Sequence, residues 1–186
     1  MMNRRHLLLG AAVALAPRLA QAASMSRVTA YAFTFKGLDG NEILLSSFAG
    51  HPILVVNTAS LCGYTPQYSG LQALWMQYRG KGLMVLGVPS NDFGGQEPGG
   101  NAEIAQTAQG DYHVTFPLTE KTAVKGPDAH PFYRWAAEER PLEAPRWNFH
   151  KYLVGRDGRL AGAFTSAVEP NDPKLVTAIE RELNDA

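Results

Sequence analysis

A chain of 186 residues, 45% apolar and 10% aromatic, carries enough non-polar surface for one packed domain, and 18% charged residues is more than a membrane-embedded chain would hold. Its 17 Lys and Arg balance its 17 Asp and Glu. With no basic surplus to neutralise phosphates, nucleic acid is excluded as an expected partner.

The chain opens with Arg4 and Arg5, then the apolar run Leu7–Ala16, then Ala20-Gln21-Ala22, an A-x-A pattern of the kind a signal peptidase accepts. That run is ten residues long, whereas crossing a bilayer takes ~20. Arg18, just beyond it, suits a cleavage region better than a core helix. Residues 1–22 therefore read as a signal peptide and 23–186 as a single mature domain with no stable membrane insertion. The paired arginines resemble the twin-arginine export signal, and the general secretory route is the alternative. Cleavage would remove three arginines and no acids, leaving 14 of the 17 basic residues against 17 acidic ones. The expected location is the periplasm of a Gram-negative bacterium.

Residues Thr29 to Phe35 alternate, with Tyr31, Phe33 and Phe35 on one face, as in a half-buried strand. Asp39-Gly40-Asn41 signals a turn, and Glu42 to Leu45 returns as the partner of an N-terminal β-hairpin. Ile53-Leu54-Val55-Val56 is apolar throughout, which suits a strand covered on both faces. Past a loop containing Cys62, Thr65 is expected as an N-cap with Pro66 in the first helical turn. Leu71, Leu74, Trp75 and Tyr78 then form the stripe of an amphipathic helix, and Leu83 to Val88 is a second buried strand. Strand, helix, strand makes a parallel, right-handed βαβ unit.

Asn101 to about Tyr112 and Pro131 to about Glu139 read as helices. Tyr152–Val154 and Leu160–Phe164 flank Arg156-Asp157-Gly158-Arg159 as an antiparallel hairpin. Asp172 caps a last helix with Pro173 in its first turn and Leu175, Val176, Ile179 and Leu183 facing inward. A βαβ half joined to a ββα half predicts an α/β, thioredoxin-like fold, with a mixed central sheet flanked by helices. In such sheets ligands bind at the carboxyl ends of the parallel strands, where the loop holding Cys62 begins.

Cys62 is the one cysteine. Exported chains usually pair theirs, so this thiol is either buried and inert or free and reactive. Its place before a helix N-terminus favours a thiolate, the nucleophilic form. Thr65 stands where a Cys-x-x-Cys oxidoreductase needs its second thiol, which excludes intramolecular disulfide exchange. The five histidines show no metal-ligand spacing. Strand alternation would put His150 on the side of Asn148, but as a single histidine it reads as a bystander.

Asn57-Thr58-Ala59-Ser60-Leu61-Cys62-Gly63-Tyr64-Thr65 resembles the segment carrying the peroxidatic cysteine or selenocysteine of glutathione peroxidases. Asn91-Asp92-Phe93-Gly94-Gly95-Gln96-Glu97-Pro98-Gly99 is similar to that family's second signature, and Trp147-Asn148-Phe149-His150-Lys151-Tyr152-Leu153-Val154 to its third. The resemblance implies a catalytic set of Cys62, Gln96, Trp147 and Asn148. Amide and indole N–H donors of this kind hold a thiolate and steady charge growing on a departing peroxide oxygen. It further implies a thiol-dependent peroxidase acting on hydrogen peroxide or organic hydroperoxides through a Cys62 sulfenic acid. No bound cofactor or metal is implied, and an external thiol, glutathione or a thioredoxin-like protein, is the reductant. The alternative is a peroxide sensor or thiol-relay protein with little turnover; an inert binding module is a third reading.

The chain departs from that pattern at four places. Ala108 occupies the expected position of a resolving cysteine, Asp92 replaces the usual glutamine, and Ser90 stands where cysteine is common. Tyr64 replaces a lysine found in some glutathione-using relatives. An inward-pointing Asp92 would raise the thiol pKa. The short Arg140–Arg146 segment lacks the insertion through which tetrameric relatives assemble, so a monomer is expected.

Overall fold

The computed structural model describes residues 28–184; the expected signal peptide lies outside the described residues. The elements in order are β1 (Thr34–Lys36), β2 (Glu42–Leu44), β3 (Ile53–Thr58), α1 (Gln67–Tyr78), β4 (Met84–Pro89), α2 (Asn101–Ala105), α3 (Pro131–Glu139), β5 (Lys151–Val154), β6 (Leu160–Phe164) and α4 (Pro173–Asn184). β1 and β2 pair antiparallel. The other strands form one mixed sheet in the order β4-β3-β5-β6, with β3 and β4 parallel and the remaining pairs antiparallel.

β3 is buried at every position. Its successive side chains point to opposite faces: Leu54 and Val56 join a core with Leu71 and Leu74 of α1 and Leu175 and Ile179 of α4. Ile53 and Val55 join another core with Phe132 and Tyr133 of α3. Helices thus cover both faces, as the run of four apolar residues demanded. The βαβ unit, the β5–β6 hairpin and α3 stand where the sequence pattern placed them, and Asp172 Oδ1 accepts the Lys174 N–H at 2.8 Å, capping α4. Among the described residues no helix is long and apolar enough to cross a membrane.

Three expectations are corrected. The strand over Thr29–Phe35 is shorter: Ala30–Ala32 turn as a 3-10 helix before β1. Ala30 N–H donates to the Gly158 carbonyl and Tyr31 Oη to the Arg156 carbonyl, so this segment docks on the β5–β6 turn instead of pairing as a strand. Beyond α2 the helix widens into a π-type turn over Gln106–Asp111. At α1, Thr65 is not the cap; helix α1 begins after Pro66 without a side-chain cap, because the Thr65 hydroxyl is used in the Cys62 turn described below.

Gly87 of β4 is required by close approach. The 117–119 segment crosses against it through Gly87 N–H to Pro117 O and Thr119 N–H to Gly87 O, and a β-carbon there would collide with Leu118. Leu54 is fully buried where α1 packs on β3. Leu54→Ala is expected to lower unfolding free energy by about 2–5 kcal/mol through cavity formation, measured as a shift in urea midpoint with an unchanged m-value.

Candidate active site

The carboxyl ends of the parallel strands deliver two loops to one place. β3 runs into the turn holding Cys62, and β4 runs into the loop holding Gln96. Leu61 N–H donates to the Gln96 carbonyl at 3.0 Å, joining the loops by backbone. The third segment, 147–149, precedes β5 and is held by Asn57 of β3: Asn57 Nδ2 donates to the Trp147 carbonyl at 3.0 Å, and Phe149 N–H donates to the Asn57 carbonyl.

Cys62 is 7% exposed. Its sulfur accepts the Tyr64 N–H at 3.4 Å. Cys62 N–H donates to Thr65 Oγ1 at 3.0 Å, while that hydroxyl lies 2.9 Å from the Ala59 carbonyl and 2.7 Å from the Cys62 carbonyl, its two acceptors. From Cys62 the chain winds into α1 through Thr65 N–H to Cys62 O, Gln67 N–H to Tyr64 O and Tyr68 N–H to Thr65 O. The cysteine thus sits in a tight lead-in to the helix rather than in an open loop.

Asn148 is fully buried, and its Nδ2 donates to Gln96 Oε1 at 2.9 Å. This bond orients the Gln96 amide, since its oxygen is the acceptor, and leaves Nε2 as an unspent donor among the described residues. Trp147 is 40% exposed. Its Cη2 stands 3.3 Å from the position of a β-carbon on Gly94. Gly94 and Gly95, both at positive φ, let the loop pass beneath the indole. The structure therefore brings Gln96 and Asn148 into contact and ties both to the Cys62 turn. Among the described residues it gives the sulfur no hydrogen bond from the side chains of Gln96, Trp147 or Asn148.

Asp92 does not point at the thiol. Its Oδ2 accepts the Val124 N–H at 2.6 Å and the Lys125 N–H at 3.1 Å, which makes it a clamp on the 124–125 backbone. The strand alternation expected for His150 also fails, because Phe149 adopts φ +62° and β5 starts only at Lys151. His150 is buried, 4.7 Å edge-on from the Tyr152 ring. Burial, helped by the charge of Lys151, lowers its pKa to about 4.

Residues that motif reading passed over complete the surroundings. Glu97 is a buried carboxylate whose pKa is raised by desolvation, against the opposing effect of hydrogen bonds from Ser60. Lys121 Nζ donates to the carbonyls of Glu97, Pro98 and Gly99, pinning the Gln96 loop. Lys151 is fully buried at the start of β5. In the sequence it lies inside the third signature and is marked further by its charge at the head of an otherwise uncharged strand. Beside the cysteine turn opens a cavity of about 450 Å³ lined by Tyr64, Leu142, Arg146, Trp147, His150 and Ser166, among others. Leu142, in its lining, is an exposed apolar side chain, as is Leu61 beside the cysteine in the chain.

Thioredoxin-family structures share this architecture: a thiol:disulfide interchange protein from Chlorobium tepidum superposes with a TM-score of 0.61 at 16% identity, covering 87% of this chain and 99% of its own. The class is a thioredoxin-like α/β protein with a single cysteine in place of the disulfide motif. Within that class, a family model described as glutathione peroxidase matches residues 30–137. The hydroperoxy fatty acid reductase gpx1 of Synechocystis sp. is 44% identical over 153 residues, covering 77% of this chain and 90% of that protein. The glutathione peroxidase-like peroxiredoxin gpx1 of Schizosaccharomyces pombe is 45% identical over 138 residues, covering 73% and 87%. The crystal structure of Trgpx in its apo form gives a TM-score of 0.67 at 36% identity, covering 83% of this chain and 97% of that one. The chain belongs to the glutathione peroxidase family.

The Thr65 hydroxyl satisfies groups on the two sides of a buried turn, so Thr65→Val is expected to destabilise the protein by about 1–3 kcal/mol, read by denaturant titration. His150 makes stability pH-dependent. Between about pH 6.5 and about pH 4 the unfolded chain takes up a proton that folded His150 refuses, so stability falls as pH falls through that window. The expected loss is on the order of 3 kcal/mol, and a parallel series on His150→Leu should lack that share of the acid loss.

Proposed function

We propose that the protein is a thiol-dependent peroxidase in which Cys62 reduces hydrogen peroxide or organic hydroperoxides. One observation carries the reading: the sole cysteine lies in a helix lead-in, with an N–H on its sulfur, beside an amide pair clamped to that turn by backbone hydrogen bonds. The Cys62 thiolate attacks the terminal oxygen of R–O–O–H. The S–O bond forms, the O–O bond breaks, and the alkoxide leaves as alcohol after taking a proton. Cys62 Sγ is oxidised to the sulfenic acid and the peroxide is reduced by the same two electrons.

Gln96 Nε2 is the donor for the developing oxyanion, and the Trp147 indole N–H is a second. Asn148 acts through Gln96, since its own amide is spent on Gln96 Oε1. The chain has one cysteine, so an external thiol attacks the sulfenic sulfur, releasing water and leaving a mixed disulfide. A second thiol then frees Cys62. That reductant is glutathione or a thioredoxin-like protein. The cavity lined by Trp147, with Leu142 exposed at it, gives room for a fatty hydroperoxide, the substrate class named in the Synechocystis relative.

The protein is proposed to be exported on the strength of residues 1–22, to work in the periplasm, and to act as a monomer, in line with the short 140–146 segment. The single cysteine also suits a sensor that passes its oxidation to another protein; slow turnover would mark that reading.

Mature protein given a slight excess of hydrogen peroxide is expected to gain one oxygen at Cys62, lose it on addition of thiol, and consume peroxide catalytically. Cys62→Ser should do none of this. Gln96→Ala should slow the oxidation step roughly 100-fold, and Asn148→Ala should slow it less. Oxidation of Cys62 without turnover on either glutathione or a dithiol protein would overturn the enzyme reading in favour of the sensor.

A further inference from the structure

Strand β5 opens with a charge inside the sheet. Lys151 is fully buried, registered between Val56 of β3 and Phe164 of β6. Its ammonium donates to Gln67 Oε1 at 2.7 Å and to the Phe149 carbonyl at 2.8 Å. Gln67, the first residue of α1, donates in turn to the Ser166 carbonyl at 2.7 Å and to Glu169 Oε1 at 3.1 Å. The cation therefore binds the turn carrying Trp147 and Asn148 to the helix start just beyond Cys62, and Gln67 extends the link to the 166–169 segment.

Stability does not account for it. Removing an ammonium from water is costly, and the N-terminal end of a helix is where the dipole disfavours a cation. Glu169, itself exposed, offsets only part of this. Burial accordingly pulls the Lys151 pKa down to about 8. Those costs fall on the residue that joins the segments around the cysteine.

We infer that Lys151 is a positioning residue for the chemistry at Cys62: its ammonium seats the 147–149 turn against the start of α1 and thereby sets the Gln96–Asn148 amide pair relative to the sulfur. The inference rests on the peroxidase reading. A hydrogen bond from an ionised donor is roughly twice as strong as a neutral one, so the grip depends on the proton. The groups around Lys151 leave that proton to it. Glu169 favours the charged form, His150 stays neutral above about pH 4, Gln67 and the Phe149 carbonyl are uncharged, and Val56 and Phe164 are apolar. The ammonium is retained at neutral pH and lost as pH rises through about 8.

The test compares wild type, Lys151→Arg and Lys151→Met by stopped-flow oxidation with hydrogen peroxide between about pH 6 and about pH 9.5, with melting curves and iodoacetamide alkylation alongside. In wild type the rate constant for peroxide is expected to fall at the alkaline end while alkylation does not fall with it. Lys151→Met should be slower at neutral pH by about tenfold, the scale of a lost charge-assisted bond, and should show no alkaline fall. Lys151→Arg, which does not titrate in this range, should keep most of the rate and also lose the fall. A folded Lys151→Met with the wild-type rate and profile overturns the inference, as does an alkaline fall shared by all the proteins. If Lys151→Met does not fold, Lys151→Arg decides: an alkaline fall retained there overturns it. Should wild type not react with peroxide, the peroxidase reading fails on its own, and the inference is then judged by the crystal structure of Lys151→Met, where a 147–149 turn and a Gln96–Asn148 pair unmoved relative to Cys62 overturn it.

Discussion

Asn57, one residue from the end of β3, bonds to the turn that precedes β5 along its whole length. Its N–H donates to the His150 carbonyl, its carbonyl accepts the Phe149 N–H, and its Nδ2 donates to the Trp147 carbonyl. The antiparallel β3–β5 ladder ends at Val56 and Lys151, so Asn57 continues the pairing past the point where Phe149, at φ +62°, bends the chain out of strand geometry. Buried backbone groups need partners, and here a side-chain amide supplies one where the ladder has stopped. The bent segment can then present Trp147 outward and Asn148 inward while remaining fixed to the strand that delivers Cys62.

With that turn fixed, the rest of the site is assembled from neutral donors. Asn148 orients Gln96, Gln96 is joined through its carbonyl to Leu61, and Tyr64 N–H meets the sulfur. None of these groups titrates near neutral pH, so none competes with the sulfur for protons. The ionisable groups stand one layer back. Lys151 braces the turn and α1 from beneath, Lys121 pins the Gln96 loop by its carbonyls, and Asp92 clamps the 124–125 backbone. His150 is kept neutral by burial. A nucleophile that works by its charge is thus surrounded by dipoles, with the formal charges placed to hold backbone.

Much of the architecture was legible in the chain because burial leaves a periodic trace. The all-apolar Ile53–Val56 run could only be a strand covered on both faces, and the stripe of Leu71, Leu74 and Tyr78 required α1 to lie against it. Local turn chemistry was readable too, as at Asp172. The failures have a common cause. Thr65 looks like an N-cap by residue type, yet its hydroxyl is taken by the Cys62 turn; Thr29–Phe35 alternates like a strand, yet Ala30 and Tyr31 find their hydrogen bonds on the distant β5–β6 turn. A preferred local conformation gives way when a partner far along the chain offers the polar group a better bond.

The residues of the site show the same division. One cysteine ahead of a helix, with Gln96, Trp147 and Asn148 in flanking motifs, is a matter of type and order, and the sequence alone determined it, together with the family and the absence of an internal resolving thiol. Tertiary structure alone decided that Asp92 is spent on the 124–125 backbone, that Asn148 bonds to Gln96 rather than to Cys62, and that Lys151 is buried with its ammonium on Gln67 and the Phe149 carbonyl. Those outcomes depend on which hydrogen-bond partner lies within about 3 Å, and contacts spanning 52 residues for Asn148 and Gln96, or 84 for Lys151 and Gln67, leave no periodicity in the chain to read.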